Sequence, residues 1–590
     1  MKLHNIFLTI GCAAMLASCS DSFLENRPQG SLSDGNMSSV ENVNLLINSA
    51  YAALYGFTNE QTDPWIRPTT NWSYGEVRAD NAYKGGGGEG DVWDVHAMET
   101  AQIQSNNGNL DGKWYNLYSL ISRCNNALNT LETFTTTELP ERDIRIAEMR
   151  VIRAHFYFEL VRLFNKIPVV DGVSTAEHIN VPNDAYTRDQ HLARIANEFL
   201  EAAKVLPDRQ GEIGRVNGNI ARAYAAKVKL YQAYVQDETT HAVTGVNKSL
   251  LQEVVTLIDG LQGYDLLADF QQLDLVQYEN GVESVWAVQH SMNDGSIDAG
   301  RTNMSNLLNS PAGSSPYGGD GFFLPSQDLI NAYQTDENGL PVFDYQSRPD
   351  YAWVTYTPEE DKIELSNTTP TVDPRLDFVV GRPTITYKTW KETPCLIWVR
   401  DFGTYGYNCA KRFWVSPESS DMYQGWPWGQ SQLNWQIIRY ADLLLYKAEA
   451  LIEIGDANGL ETARQLINRV RQRAANSEFV KDFYDNSKDA ANYKIGLYPA
   501  AGWSQEYARQ ALRTEMRLEK ALEGERFFDL VRWGIAKDVM NKYFEAEKDH
   551  RIYYDIASFE TGEEYFPIPV NQYNFSLGKY TQNPGYPAFK

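Results

Sequence analysis

Acidic and basic side chains crowd together between Arg513 and Trp533, in the string RTEMRLEKALEGERFFDLVRW. Glu515, Glu519 and Glu523 stand four residues apart, so on a helix they share one stripe, and like charges at that spacing repel unless cations answer them. Two chemistries are open to such a set. A carboxylate pair could act as general acid and base, or the acids could be neutralised by Arg517, Arg526 and Arg532 in a packed ion network. Leu512, Met516, Leu518, Leu522, Phe527, Leu530 and Val531 recur through the same string at three- and four-residue spacings. That apolar stripe faces a core, and charge interleaved with core favours the network. Gly524 breaks the helix or admits a neighbouring backbone, and Phe527-Phe528-Asp529-Leu530 restarts it.

Other signatures of catalysis are weak. Gly85 to Gly90, GGGGEG, satisfies GxGxxG, but it follows RADNAYK rather than opening a helix after a strand, as a dinucleotide site requires. There is no HExxH, GxSxG or phosphate-binding P-loop, and no CxxC to suggest zinc. With 77 Asp and Glu, some carboxylates must fall at glycosidase spacing by chance. Asp336 to Gly339 could hold a structural calcium ion but lacks EF-hand spacing, so no motif supports one, and no other cofactor is expected.

Binding chemistry is better represented. A sugar ring offers apolar CH faces edged with hydroxyls, which suit flat aromatics beside Asp, Asn or Arg. Residues 58–111 supply Trp65, Trp72, Tyr74 and Trp93 with Arg78, Asp80 and Asn81. Between Gln289 and Phe323, Tyr317 and Phe322 lie near Asn293, Asp294 and Asp320. A third cluster is Tyr423 to Trp428, with Trp426 and Trp428 around a proline. The competing reading is that such rings, Trp65 and Trp93 among them, plug the loops onto the fold. Asp373 and Arg375 read as an ion pair fixing a turn.

The 590 residues carry a formal charge of −24, which argues against nucleic acid and suits neutral ligands. Lys2, the apolar run Ile6 to Ala17 and the lipobox spelling Leu16-Ala17-Ser18-Cys19 read as a lipoprotein signal, with Cys19 acylated. No later stretch is apolar for long enough to span a membrane, so lipid is the expected anchor. Cys395 and Cys409 could be a disulfide or two buried thiols.

The elements that must position these residues are mostly helical. After a polar tether at 20–37, Ser38 to Glu41 spells a capping box before an amphipathic helix. Residues 58–111 read as a long irregular segment. Helical periodicity then covers Trp114 to Leu131 and Glu141 to Phe164, continues from the capping box Thr187 to Gln190, and follows Asn217 through Tyr234. It lapses between about 265 and 435 and returns at Ile437 to Ile454 and Leu460 to Ala475. The expected fold is mainly α, a scaffold of tetratricopeptide-like helix pairs with an irregular, loop-rich middle. The expected divisions are a signal at 1–18, a lipidated tether at 19–37, and regions at 38–264, 265–435 and 436–590.

Five ordered motifs carry a family resemblance. They are Cys19 with the nearby SFLENRP, the DPR at Asp373 to Arg375, RYADLLLYKAEALIEIGD from Arg439 to Asp456, the Glu515 to Trp533 string, and YFPIP at Tyr565 to Pro569. Together they resemble the SusD/RagB family of surface glycan-binding lipoproteins. The resemblance implies a helix-pair fold and non-catalytic capture of an oligosaccharide or polysaccharide. It also implies delivery to a SusC-like TonB-dependent transporter, at the outer membrane and facing outward. Alternatives from the residues are a peptide-uptake lipoprotein of the RagB kind, a surface glycoside hydrolase, and a helical scaffold binding only protein.

Overall fold

The structure, a computed structural model, describes residues 39–56, 64–67, 69–172, 181–295, 301–305, 307–313, 315–425 and 429–589. The signal, Cys19, the tether, Trp426 and Trp428 lie outside the described residues.

Helix α1 (Val40–Tyr55) buries Val43, Ile47, Ala50 and Leu54, the stripe its periodicity requires. Its cap is Ser39, one residue after the expected Ser38, and the Ser39 hydroxyl accepts from the Asn42 amide. A short helix α2 (Trp93–Glu99) precedes α3 (Gly108–Glu132) and α4 (Arg142–Phe164). Then follow α5 (Arg188–Val205), opened by the expected Thr187–Gln190 capping box, and α6 (Gly218–Ala233), capped by Asn217. α7 (Lys248–Asp259) closes the series. Each helix from α3 to α7 packs on the next. α4 is buried on all sides from Met149 to Phe164, and α6 nearly so, which makes them the centre of the scaffold.

Only short elements interrupt residues 260–435: α8 (Gln327–Ala332), α9 (Arg375–Val379), α10 (Phe402–Tyr405) and scattered strands. All ladders among the described residues are two-stranded and antiparallel. Two of them tie the middle to the ends. Ala82–Gly85 pairs with Phe322–Pro325, and Ser284–Val288 pairs with Trp435–Arg439. Helical order resumes with α11 (Tyr440–Ile454), α12 (Ala457–Asn476), α13 (Gln505–Glu519), α14 (Arg526–Arg532), α15 (Ala536–Glu547) and α16 (Val570–Phe575). α11 packs on α7, so the helix stack continues across the intervening sequence. One apolar core runs from Val43 to Ile568 and draws on all three regions.

The Glu515–Trp533 segment is an ion network, though not with the expected local partners. Residues two apart on a helix point to opposite sides, so Glu515 cannot be answered by Arg517. Glu515 instead meets Arg375 at 2.7 Å and Arg471 at 2.9 Å. Glu519 is bound by Arg439 at 2.9 Å, Arg375 at 3.0 Å and Arg473, and Glu523 by Arg439 at 2.7 Å. Arg517 reaches Asp328 at 2.8 Å, Arg526 reaches Asp80 at 2.8 Å, and Arg532 reaches Glu449 at 2.8 Å. Asp373 clasps Arg375 at 2.8 Å, as its spacing suggested. These groups are almost wholly buried, and all are paired, Asp373 locally and the others across different elements, which is the condition for tolerating them there.

Gly524 does both things expected of it. It takes φ 85°, and its carbonyl lies against Gly75, where an added Cβ would come within 2.0 Å. Beside this contact the Glu76 carboxylate accepts from the amides of Leu522, Gly524, Glu525 and Arg526, at 2.7 to 3.4 Å. Glu76 therefore caps α14 from a distant part of the chain, a role that only tertiary structure could reveal.

Candidate functional site

Most of the aromatic segment at 64–81 is core, so it is ordered and enclosed rather than irregular. Trp72–Val77 forms one π-helical turn, every residue of it buried. Trp72 has no exposed surface and packs on Trp65 and Phe323, while Trp65 packs edge-on to Phe322 at 4.6 Å. Tyr74 is wholly enclosed, set at 90° to Phe566, and donates to the Asn109 carbonyl at 3.2 Å. A sugar cannot stack on any of these three rings.

The polar residues beside them are also engaged. The Arg78 guanidinium lies between the rings of Phe566 (3.6 Å) and Phe527 (4.1 Å) and donates to the Glu563 carbonyl. Asp80 pairs with Arg526 and Arg517, and Asn81 bridges Glu76 and Arg517. Trp65, Trp72, Tyr74, Arg78, Asp80 and Asn81 therefore build the wall behind the site. Tyr317 is likewise buried, and its hydroxyl donates to the Val415 carbonyl at 2.9 Å.

Trp93 is different, being 56% exposed. Its position is set by the glycine-rich loop, which is no nucleotide cradle. The buried Lys84 ammonium sits inside the loop and donates to the carbonyls of Gly85 (3.1 Å), Gly88 (2.8 Å) and Asp91. Three carbonyls can converge on one ammonium because Gly85, Gly86 and Gly88 take positive φ, which is costly for other residues. Burial pulls the Lys84 ammonium below the usual lysine range, against the opposing pull of Glu99 and Asp91. Val92 follows in a left-handed conformation, φ 55°, rare for a β-branched side chain. The next residue, Trp93, leans on His96 with ring centroids 5.2 Å apart.

Two further loops meet this platform. Arg400 bonds Asp91 at 3.2 Å and Asp320 at 3.3 Å, joining the loop after β-strand Ala82–Gly85 to the turns at 318–321 and 400–407. Asp401 caps α10, and Phe402 stacks on Tyr407 at 5.7 Å. From Asp320 the chain leads back to Pro316, which lines an open groove of about 720 Å³ with Met292, Asn293, Trp390, Glu418 and Tyr423. Trp390 and Tyr423 are half-buried there. Asn293 is exposed, and Asp294 pairs with Arg301 at 3.4 Å. Of the sequence-expected site residues, the structure thus places Trp93 and Asn293 on accessible surface, with Asp294 beside the groove. Asp91, Arg400 and Trp390 were missed because nothing local distinguishes them from other surface residues.

Cys395 and Cys409 are free thiols. The Asp336 carboxylate is occupied by the amides of Asn338 and Leu340, so that turn is closed by its own backbone. Among the described residues no group of three or more His, Cys, Asp or Glu is arranged to hold a metal ion, and no helix is long and apolar enough to cross a membrane.

A continuous stack of helices with aromatic and polar loops gathered beside it defines a helical-scaffold protein that presents a loop-built surface. Comparison with known proteins places it further. The SusD family pattern matches residues 282–586, and one described as "Starch-binding associating with outer membrane" matches residues 22–230; the chain belongs to the SusD family. A SusD-like protein of Bacteroides ovatus is 25% identical over 293 residues, which are 49% of this chain and 50% of that protein. The chain thus spans about half the length of that curated relative. The crystal structure of a SusD homolog from Bacteroides thetaiotaomicron superposes with a TM-score of 0.66 at 19% identity, covering 93% of this chain and 98% of the other. Surface glycan-binding protein A from the same species, in complex with laminarihexaose, gives 0.60 at 18% identity, covering 92% and 99%. These two likenesses establish the fold.

Proposed function

We propose that this protein captures an oligosaccharide or polysaccharide at the cell surface without cleaving it, and passes it to a SusC-like TonB-dependent transporter in the outer membrane. Cys19 would carry the lipid anchor. The observation that carries the reading is the exposed Trp93, held outward by a loop built around Lys84 and bordered by hydrogen-bonding side chains. A flat exposed ring two residues along the chain from the Asp91–Arg400 ion pair suits a sugar's CH face and hydroxyls. Family membership supports it, as does the glycan bound to the structural neighbour. Glu515, Glu519 and Glu523 offer no ready general acid or base, because all three are committed to arginines.

The test is native electrophoresis of the soluble chain starting after Cys19, through gels cast with plant, microbial and host polysaccharides. Retardation by one class, abolished in Trp93→Ala, is the expected result. Release of shortened glycans in the same incubations would establish a hydrolase instead. No retardation by any polysaccharide would overturn glycan capture.

A further inference from the structure

The charge around Trp93 bears on which glycans it can accept, an argument that rests on the glycan-capture reading. Four surface carboxylates converge there from three loops. Glu89 approaches His96, the ring on which Trp93 leans, at 3.8 Å. Asp91 and Asp320 both bind Arg400. Asp401 lies against Gly88, where an added Cβ would sit 3.2 Å from its carboxylate. Arg400 is the exposed cation of this cluster, and its guanidinium is already shared between two acids.

An Arg that binds an anionic sugar presents its planar fork to the ligand. Arg400 shares its Nη1 between Asp91 and Asp320, so two carboxylates already offset its single charge. Four acids stand against Arg400 and the enclosed Lys84 ammonium, so the cluster beside the platform keeps excess negative charge, which salt screens only beyond about 8 Å. We propose that Glu89, Asp91, Asp320 and Asp401 are specificity-determining residues that restrict the Trp93 platform to uncharged glycans, with Asp320 and Asp91 offsetting the charge of Arg400.

The measurement is titration calorimetry in 150 mM NaCl with the polysaccharide that retards the wild-type chain, its carboxymethylated derivative, and its hydroxyethylated derivative as a neutral control for size. Wild type should bind the carboxymethylated glycan about tenfold more weakly than the hydroxyethylated one, as expected for about 1.4 kcal/mol of repulsion. In Glu89→Gln/Asp320→Asn the ratio of the two affinities should move towards one or invert, as two negative charges go and the charge of Arg400 is less offset. Adding Arg400→Gln to that variant should return part of the discrimination. Equal or tighter wild-type binding of the carboxymethylated glycan overturns the charge argument and leaves glycan capture standing. A ratio unmoved in the double variant overturns the assignment to these residues. Failure of every polysaccharide to bind overturns both readings.

Discussion

Trp72 and Trp93 come from the same tryptophan-rich stretch and have opposite fates. Trp72 is fully enclosed by Trp65 and Phe323, so Trp72→Ala should cost about 3–5 kcal/mol, as for other large buried aromatics. Chemical denaturation would detect this as a lowered midpoint. Trp93→Ala should leave the midpoint within about 0.5 kcal/mol, as for surface changes, and abolish polysaccharide retardation. The reverse pattern would mean that the platform has been misplaced. Nothing in the sequence separates the two rings. What separates them is Phe323, more than 200 residues downstream, which closes over Trp72 and leaves Trp93 outside. The same holds for Tyr317 and Asp80, whose residue types suit a ligand but whose partners are internal.

At the scale of elements, the glycine-rich loop and the Glu515–Trp533 segment make separate predictions. Lys84→Met removes the ammonium that gathers three carbonyls, so amides of residues 85–91 should exchange hydrogen faster and glycan affinity should fall at least about tenfold, roughly 1.4 kcal/mol. Unchanged exchange would show that the glycines hold the loop unaided. Arg375→Met leaves Glu515, Glu519 and Asp373 short of a partner inside the core and should cost about 3–5 kcal/mol by denaturant unfolding. The helices themselves were legible in the sequence, because apolar spacing and caps such as Thr187–Gln190 and Asn217 act locally. So was the character of the charged segment. Its pairing was not, since Arg375, Arg439, Arg471 and Arg473 reach it from elements that sequence distance conceals.

For the whole molecule, the buried carboxyls fall into two groups whose pH effects oppose each other. Burial pushes Glu76 and Glu547 up to about 7. Ionising them costs stability, so this contribution weakens as pH rises from about 4.5 through 7. Against the upward push of burial, Arg473, Arg439 and Arg375 hold Glu519 down to about 2, and Arg517 and Arg526 hold Asp80 there as well. Their contribution is complete above the unfolded values, 4.5 and 3.8, and is lost as pH falls towards 2. Tm should therefore peak between about pH 4.5 and 6 and fall on both sides. A Tm that climbs steadily from pH 5 to 8 in scanning fluorimetry would contradict this balance.

The contact of Glu76 and Gly75 with Gly524 also constrains the order of folding. Those partners are separated by 448 residues in one hydrogen bond alone, and Tyr83 reaches Glu547 across 464. A chain made from its N-terminus carries Glu76 as an uncompensated acid until nearly all of the sequence has been synthesised, and Trp72 as an unsheltered ring until Phe323 has been made. The first helices can form early, but the wall behind the platform closes last. Chains that stop short of residue 524 should therefore be cleared by proteases rather than persist as truncated binders.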